Sequence, residues 1–582
     1  MSSNVPAEYY DENFIPGTTN ILTGRHTPTP PSSTDESSSI TSEKSLKRNP
    51  KTGLVLIPQP TDSPNDPLNW STRRKIWQLI LLSFITALTA AISNDAGASQ
   101  DSLNEIYGIS YDSMNTGAGV LFLFIGWSCI VFAPASSLYG RRVTYLVCLL
   151  AGTLGCVWFG ASRRTADTIW SQAFVGMSEA CAEAQVQQSL TDLFFSHNLG
   201  AVLTLYISAT SIGSFLGPLI AQYESYFMSF RWVGWWGAII TGGCLVVTYF
   251  GCEETVFERN LYTKVYESKL DVREPHSECD DVKKKTELDD TKELEHEISH
   301  EVESSTTTNP LPLNIDPETN SETKKPYIQR IALITPASYL QGLGFKQYAK
   351  RFLLYFKVFT LPGVWFSGLL WGLQDAYMTF FLTTQDTYFY EEPWNYSNAG
   401  VAIMNVATLI GAVVGCIVLG LFSDYHVIWL AKRNRGVMEA EYRLYLLIIT
   451  LVISPVGLIM FGVGAARNWP WQVIYVGLGF IGFGWGSIGD TSMSYLMDAY
   501  PDIVIQGMVG VSIINNTLAC IFTFTCSYWL DASGTQNTYI ALSVIDFATI
   551  ALVFPLLYFG KTFRKQTKGT YVSMVELTQG MG

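Results

Sequence analysis

An all-α membrane protein, with twelve transmembrane helices in two six-helix bundles, is the fold class that the sequence predicts. Three observations lead there. Of the 582 residues only 15% are charged while 48% are hydrophobic, against about 25% charged in a typical soluble chain. Apolar windows of the roughly 20 residues needed to cross a bilayer recur about twelve times. Six of them precede a long polar interruption and six follow it, the trace of two halves packed around a central axis.

The windows begin near Ile76, Met114, Tyr145, Ile169, Leu199, Val233, Leu361, Ala399, Leu444, Val473, Val504 and Tyr539. Residues 1–65 precede them as a disordered tail, polar and rich in Ser, Thr and Pro. No charged-then-apolar leader opens the chain, so the first window is expected to serve as an uncleaved membrane signal. Residues 66–252 form the first bundle and 358–562 the second. Between them, 253–357 reads as a mostly disordered linker, with Lys283-Lys284-Lys285 and an acidic series from Asp289 to Glu303. A solvated tether accounts for those charges better than a binding module does. A short amphipathic helix near Gln341 to Phe356 is expected on the membrane surface, and residues 563–582 form a C-terminal tail.

The net charge of −13 sits mostly in the polar parts and says little about the membrane core. Eight of the ten cysteines (Cys129, Cys148, Cys156, Cys181, Cys244, Cys416, Cys520 and Cys526) lie in apolar stretches, where cysteine acts as a small hydrophobe. No CxxC or Cys/His spacing suggests a metal, and no nucleophile–base pair suggests an enzyme. A channel is also disfavoured, because no filter sequence interrupts the windows.

Basic residues in the short loops give an orientation. Arg73, Arg74 and Lys75 precede span one, and Arg141 and Arg142 separate spans two and three. Lys432, Arg433, Arg435 and Arg443 separate eight and nine, and Lys561, Arg564, Lys565 and Lys568 follow twelve. The opposite side carries only Arg163, Arg164, Arg231 and Arg467. Both termini and the linker are therefore expected in the cytoplasm. The sequon Asn395-Tyr396-Ser397 then falls outside, where a glycan acceptor belongs. Trp394, Trp469 and Trp471 read as interfacial anchors.

A charged residue inside the bilayer costs several kcal/mol, so each is a functional candidate. The spans hold Asp95 in the first, Glu179 and Glu183 in the fourth, Asp375 in the seventh, Asp490 in the tenth and Asp546 in the twelfth. No Lys, Arg or His lies deep in any span to neutralise them. Spans one, four, seven and ten are the first helices of four three-helix repeats, the natural lining of a central cavity.

In span four, Gln172, Gly176, Glu179, Glu183 and Gln187 form one polar stripe at helical spacing. Trp371, Asp375 and Met378 share a face of span seven; Gly482, Gly486, Asp490 and Met493 share one of span ten. An aromatic ring beside a carboxylate suits an organic cation. The expected binding set is Glu179, Glu183, Asp375, Asp490, Asp95, Trp371, Tyr377 and Gln172, with Glu183 and Asp490 as the proton-coupling groups. Each has a blander reading. A lone membrane Asp can be a protonated hydrogen bonder, as readily for Asp546 as any functional role, and Asp95 near a span end can simply be hydrated. Trp371 and Trp485 read first as packing residues, and Trp485 does not share the Asp490 face.

Several motifs carry a resemblance to a family. Asp66-Pro67-Leu68-Asn69-Trp70 before span one resembles a signature of fungal major facilitator superfamily transporters of the drug:proton antiporter type. Leu138-Tyr139-Gly140-Arg141-Arg142 resembles their loop motif between spans two and three. Gly420-Leu421-Phe422-Ser423-Asp424, with Arg433 to Gly436, resembles its counterpart in the second half. Gly213 with Gly217-Pro218 is similar to the antiporter motif of span five, and Tyr495 with Asp498-Ala499-Tyr500-Pro501 to the family's close of span ten. The likeness runs from about Pro64 to Lys568, the central loop excepted.

Within that family, Ser93-Asn94-Asp95-Ala96-Gly97-Ala98, residues 100–116, Pro393 to Ser397 and Asn515-Asn516-Thr517 resemble permeases for polyamines and related organic cations such as histidinol. The resemblance implies a major facilitator fold working by alternating access. It also implies proton-coupled uptake of spermidine, putrescine and spermine across the plasma membrane, without cofactor, metal or nucleic acid, by a monomer. Arg141, Arg142, Asp424 and Arg433 would act on the cytoplasmic gate. Two departures stand out: Ser137 replaces the usual Asp of the first loop motif, and Asn515-Asn516 stand where many drug exporters have Arg, which makes the cavity more acidic. The span-five motif pulls towards export, so a multidrug:proton antiporter is the first alternative. A membrane nutrient sensor signalling through the tail and loop is the second.

Overall fold

Polar punctuation sets the helix boundaries. The computed structural model describes residues 7–20, 47–48, 56–259, 322–338 and 340–579. Asp66 accepts from the Leu68 backbone N–H at 3.0 Å and opens a short turn with Pro67, after which α1 runs over Thr72–Asn94. Ser110 caps α2, Tyr111–Tyr139, and Gly140, at φ +100°, makes the tight corner into α3, Arg141–Gly160. α4 comprises Thr165–Ala180, a π-helical turn Cys181–Val186, and Gln187–Leu193. α5, Ser196–Phe227, and α6, Phe230–Gly251, complete the first bundle.

The second bundle repeats the plan. Proline at its first turn, which needs no N–H there, starts α7, Pro362–Tyr388. α8 runs from Asn398–Gly415 through a second π-helical turn, Cys416–Leu421, to Phe422–Arg433. α9 is Leu447–Ala466 and α10 is Trp471–Ala499. The helical run Val504–Ile550 breaks at Gly534 (φ +70°, ψ 156°); α11 is 504–533 and α12 is 535–550, extended by Val553–Gln566. On length and apolarity alone, nine helices among the described residues could cross a membrane, or ten if the pair bent by 84° before α7 is one span. The other two are α4, kept polar by its Gln and Glu residues, and α12, which continues α11 in one 66-residue run.

Within the first bundle α5 crosses α1 backbone to backbone. A Cβ on Gly217 would lie 2.7 Å from Ala91 Cα, and one on Gly213 would strike the Ala87 carbonyl. Small residues let membrane helices approach this closely, so these two glycines of the span-five motif have a packing role. Between the bundles, α2 packs on α11 and α5 on α8. A Cβ on Gly126 would come within 2.9 Å of Asn516 Cβ.

Parts of the tail and linker are folded, contrary to the disorder expected there. β1, Thr18–Asn20, pairs antiparallel with β2, Val437–Glu439, and the Tyr9 hydroxyl donates to Asp502 at 2.8 Å. The buried Arg564 ties this segment down, pairing with Glu441 and donating to Thr18 Oγ1 at 3.2 Å. The returning end of the linker lies on the span 2–3 corner: Thr335 N–H donates to the Tyr139 carbonyl and Ala337 N–H to that of Leu138, both at 3.0 Å. The amphipathic helix is Phe345–Tyr355. It bridges the halves, with the Tyr348 hydroxyl on Val131 O at 2.8 Å and Arg351 on Thr578 O at 3.4 Å. The Lys283–Lys285 run and the acidic series lie outside the described residues.

Candidate functional site

Midway along the bundles a cavity opens between the halves. Its wall includes Ser93 and Asn94 of α1, Ile125 of α2, Glu179 and Glu183 of α4, and Thr210 and Ser214 of α5. From the second half come Trp371, Asp375 and Met378 of α7, Trp485 of α10 and Asn516 of α11. Asp375 and Trp485 both lie near the midpoints of their helices. Glu183 stands ten residues before the end of α4, about 15 Å at 1.5 Å per residue. The wall contains three carboxylates and no Lys, Arg or His.

Local structure sets these side chains. The π-helical turn holds Glu183, and the carbonyl of Ala182 inside it accepts from the Tyr206 hydroxyl of α5 at 2.9 Å. A side chain inserted into the helical ladder and a π-bulge each kink a helix, and π-bulges gather at functional sites. Gln187, one turn on, donates to Glu183 O and to the Tyr206 hydroxyl, each at 3.2 Å. Opposite, the Trp485 indole N–H donates to Asp375 Oδ1 at 2.9 Å. The Trp485 and Trp371 rings are 4.6 Å apart and tilted by 49°. Gly489 makes room for Trp371, since a Cβ there would overlap its ring.

The cavity has a volume of about 50 Å³, room for a few waters at roughly 10–15 Å³ of such space each. Admitting a larger solute therefore requires the halves to part. On the face carrying residues 7–20 and the C-terminal helix Lys568–Gln579 the seam is shut. Asp424 Oδ2 accepts from the Ala201 N–H in the second turn of α5 at 3.1 Å. Arg443 holds Asp424 Oδ1 at 2.9 Å and also pairs with Asp498. One turn deeper the Thr204 hydroxyl lies 3.5 Å from both oxygens of Asp490.

The structure thus gathers Glu179, Glu183, Asp375 and Trp371 of the expected set and separates the other four. Asp490 is 1% exposed and sits in the shut seam beside Thr204 and Gly420, not in the cavity. Asp95 lies in the turn Asp95–Ser99 after α1, packed against Gly217 and within electrostatic reach of Glu224. Gln172 packs beside Gly117 of α2, nearly two turns from Glu179. Tyr377 follows Asp375 by two residues and so points to the other side of α7, towards Asp546.

Among the expected gate residues, Arg433 does not reach Asp424; its guanidinium lies 5.6 Å over the Trp429 ring. Arg443 from the turn before α9 takes that place, because the chain folds back at Gly436 and brings it under the seam. Arg141 pairs with Asp192 at the end of α4. Arg142 is spent on carbonyls, those of Cys252 and Ala332 at 2.9 Å, with Tyr249 and Ile331 beside them. Trp485 reads in sequence as packing, since it lies off the Asp490 face, yet it stands in the cavity wall. Nothing in the sequence around it marks Trp485 out, because the neighbouring glycines clear space for other groups, Gly484 for Ser454 and Gly489 for Trp371.

A membrane carrier built of two helical bundles around a central polar cavity is the class that this fold and site define. The chain belongs to the Major Facilitator Superfamily, which it matches over residues 79–524, and it is a multi-pass membrane transporter rather than an enzyme. It is 53% identical to Protein HOL1 of Saccharomyces cerevisiae, with 98% of each chain covered. It is 47% identical, over 90% of each chain, to the uncharacterized MFS-type transporter C1271.10c of Schizosaccharomyces pombe. Among solved structures it is similar to the human organic anion transporter MFSD10 (TETRAN), with a TM-score of 0.50, 12% identity, and 83% of this chain and 100% of that chain covered. That likeness concerns the fold alone.

Proposed function

We propose that the protein imports polyamines and related organic cations, driven by the proton gradient. The observation that carries this is the cavity wall: three carboxylates from both halves, two indoles and no basic side chain. Spermidine presents several ammonium groups along one chain, so Glu179 and Glu183 on α4 and Asp375 on α7 can take different amines. The rings of Trp371 and Trp485 add cation–π attraction of about 0.5–2 kcal/mol. The sequence resemblance to organic-cation permeases points the same way.

Glu183, in the wall, would have to be ionised to hold an arriving amine, which makes binding pH-dependent without itself carrying the coupled proton. Asp490, in the seam, would report on whether that seam is shut. The basic residues gather on the face that holds Arg74, Arg142, Arg443 and Arg564, which supports a cytoplasmic placement of both termini; the plasma membrane and a single chain as the transport unit are what the sequence resemblance implies.

The test is radiolabelled spermidine uptake in cells lacking their own carrier, comparing wild type with Glu183→Gln and Asp375→Asn at matched surface expression. Saturable, acid-stimulated uptake that the variants lose supports the proposal. Full uptake by both variants would make these carboxylates structural. Drug efflux without uptake would assign an exporter, and binding without flux a sensor.

A further inference from the structure

Import on an inward proton gradient requires proton and cation to be aboard together. A carboxylate in the cavity wall serves one of them at a time: ionised it pairs with an ammonium group, and protonated it has no charge to offer. Glu179, Glu183 and Asp375 share one wall, so each competes for the cation. The coupled proton needs a carboxylate outside the cavity that is shielded from cations yet mechanically tied to the wall.

Asp546 of α12 meets those conditions. It is 1% exposed. Its Oδ1 accepts from Gln374 Nε2 of α7 at 2.9 Å, and its Oδ2 has no hydrogen-bond partner among the described residues. The Tyr377 hydroxyl of α7, equally buried and equally without a partner, lies within its electrostatic reach. Leaving a buried polar group unpaired costs about 1–3 kcal/mol, so two in one cluster call for a role beyond packing. Tyr377 is the titratable group that faces Asp546 from α7. Ser454 from α9, whose hydroxyl interacts with the Asp546 carboxyl, and Gly484 from α10 flank the cluster and do not titrate; a Cβ on Gly484 would strike Ser454 Oγ and lie 3.4 Å from Gln374 Oε1.

The cluster is joined to the cavity twice. Gln374, which holds Asp546, precedes Asp375. Gly484, which lets Gln374 and Ser454 converge, precedes Trp485, the donor to Asp375. A shift of Asp375 or Trp485 on cation binding therefore moves the frame of Asp546. We propose that Asp546 is a proton-binding site separate from the cation cavity, linked to it through the Gln374–Asp375 and Gly484–Trp485 neighbours. The proton binds reversibly at Oδ2, and the Tyr377 hydroxyl, within electrostatic reach but not hydrogen-bonded to it in this conformation, responds to the change in charge.

This rests on the proton-coupled import proposed above, and two assays on one preparation separate the two ideas. Full-length carrier in liposomes is measured for spermidine counterflow at equal pH, and for accumulation with acid outside. Asp546→Asn is expected to keep counterflow and lose the response to the gradient, about tenfold in accumulation per pH unit for one coupled proton. Tyr377→Phe, which leaves the carboxylate in place, is expected to shift the pH profile of driven uptake without abolishing it, and it serves should Asp546→Asn misfold. Full gradient response in Asp546→Asn, or an unshifted profile in Tyr377→Phe, overturns the assignment. So does parallel loss of both activities in well-folded Asp546→Asn, which marks a structural residue. A wild type that shows no counterflow refutes spermidine transport itself, whatever Asp546 does. Wild-type counterflow with no response to the gradient refutes the proton coupling on which the assignment rests.

Discussion

Trp485 donates its indole N–H to the Asp375 carboxylate across 2.9 Å, joining α10 to α7 at the mid-depth of the second bundle. The bond fixes one Asp375 oxygen and leaves the carboxylate open to the cavity. Trp485 therefore orients a charge as well as adding an aromatic wall, and its T-shaped contact with Phe215 of α5, 5.7 Å between centroids, carries that orientation across the seam.

Replacing Trp485 with Phe separates these roles, since the ring face persists and the donor is lost. A hydrogen bond to a charged group contributes about 1.5–3 kcal/mol. The KM for spermidine is expected to rise about tenfold, the lower end of that range, with little change in maximal rate. Uptake kinetics at matched expression check this; an unchanged KM would reduce Trp485 to wall material.

Arg443, rather than Arg433, locks the shut face. It bridges Asp424 and Asp498 through separate guanidinium nitrogens, which a lysine ammonium cannot reproduce. Arg443→Lys is expected to lower transport severely, whereas Arg433→Ala, which removes only the contact with Trp429, should stay near wild type. Initial uptake rates of the two variants give the comparison, and equal defects would return Arg433 to the gate.

The fold was legible because the bilayer forces long apolar runs, and the cavity acids were legible because charge is costly there. Glu179, Glu183 and Asp375 stand in the wall for that reason. Asp490, Asp95 and Tyr377 read alike in sequence, since span membership fixes depth but not which neighbour a side chain meets. Their places depend on helix rotation and on contacts across the seam, such as Thr204 with Asp490. The exchange of Arg433 for Arg443 has a similar origin: ten residues apart in one loop, they carry the same charge, and only the fold-back at Gly436 decides between them. The folded segment at residues 7–20 was hidden because β1 has just three residues and its partner strand lies over 400 residues away.

Gly200 sits where a Cβ would overlap the Asp424 carboxylate. Gly200→Ala is therefore expected to push Asp424 off the Ala201 N–H and favour the state in which this face is open. With Thr204→Cys as a reporter in a background lacking other reactive cysteines, maleimide labelling from that face should rise in Gly200→Ala relative to Gly200. Equal labelling would show that the seam absorbs the methyl group.

The acids of the cavity are divided between the halves, and that division makes a length-sensitive device. A diammonium ion can neutralise Glu179 or Glu183 on α4 and Asp375 on α7 together, drawing the bundles closed around it, whereas a monoamine of the same length satisfies one half only. In Asp375→Asn the second anchor is gone, and a charge-assisted hydrogen bond of about 1.5 kcal/mol corresponds to roughly tenfold in affinity. Wild type should therefore be inhibited about tenfold more strongly by a diamine than by its monoamine counterpart, with the ratio falling towards one in Asp375→Asn. Competition against labelled spermidine measures both ratios. A preference for the diamine that survives in Asp375→Asn would place both amines on α4, between Glu179 and Glu183, and remove the second bundle from substrate recognition.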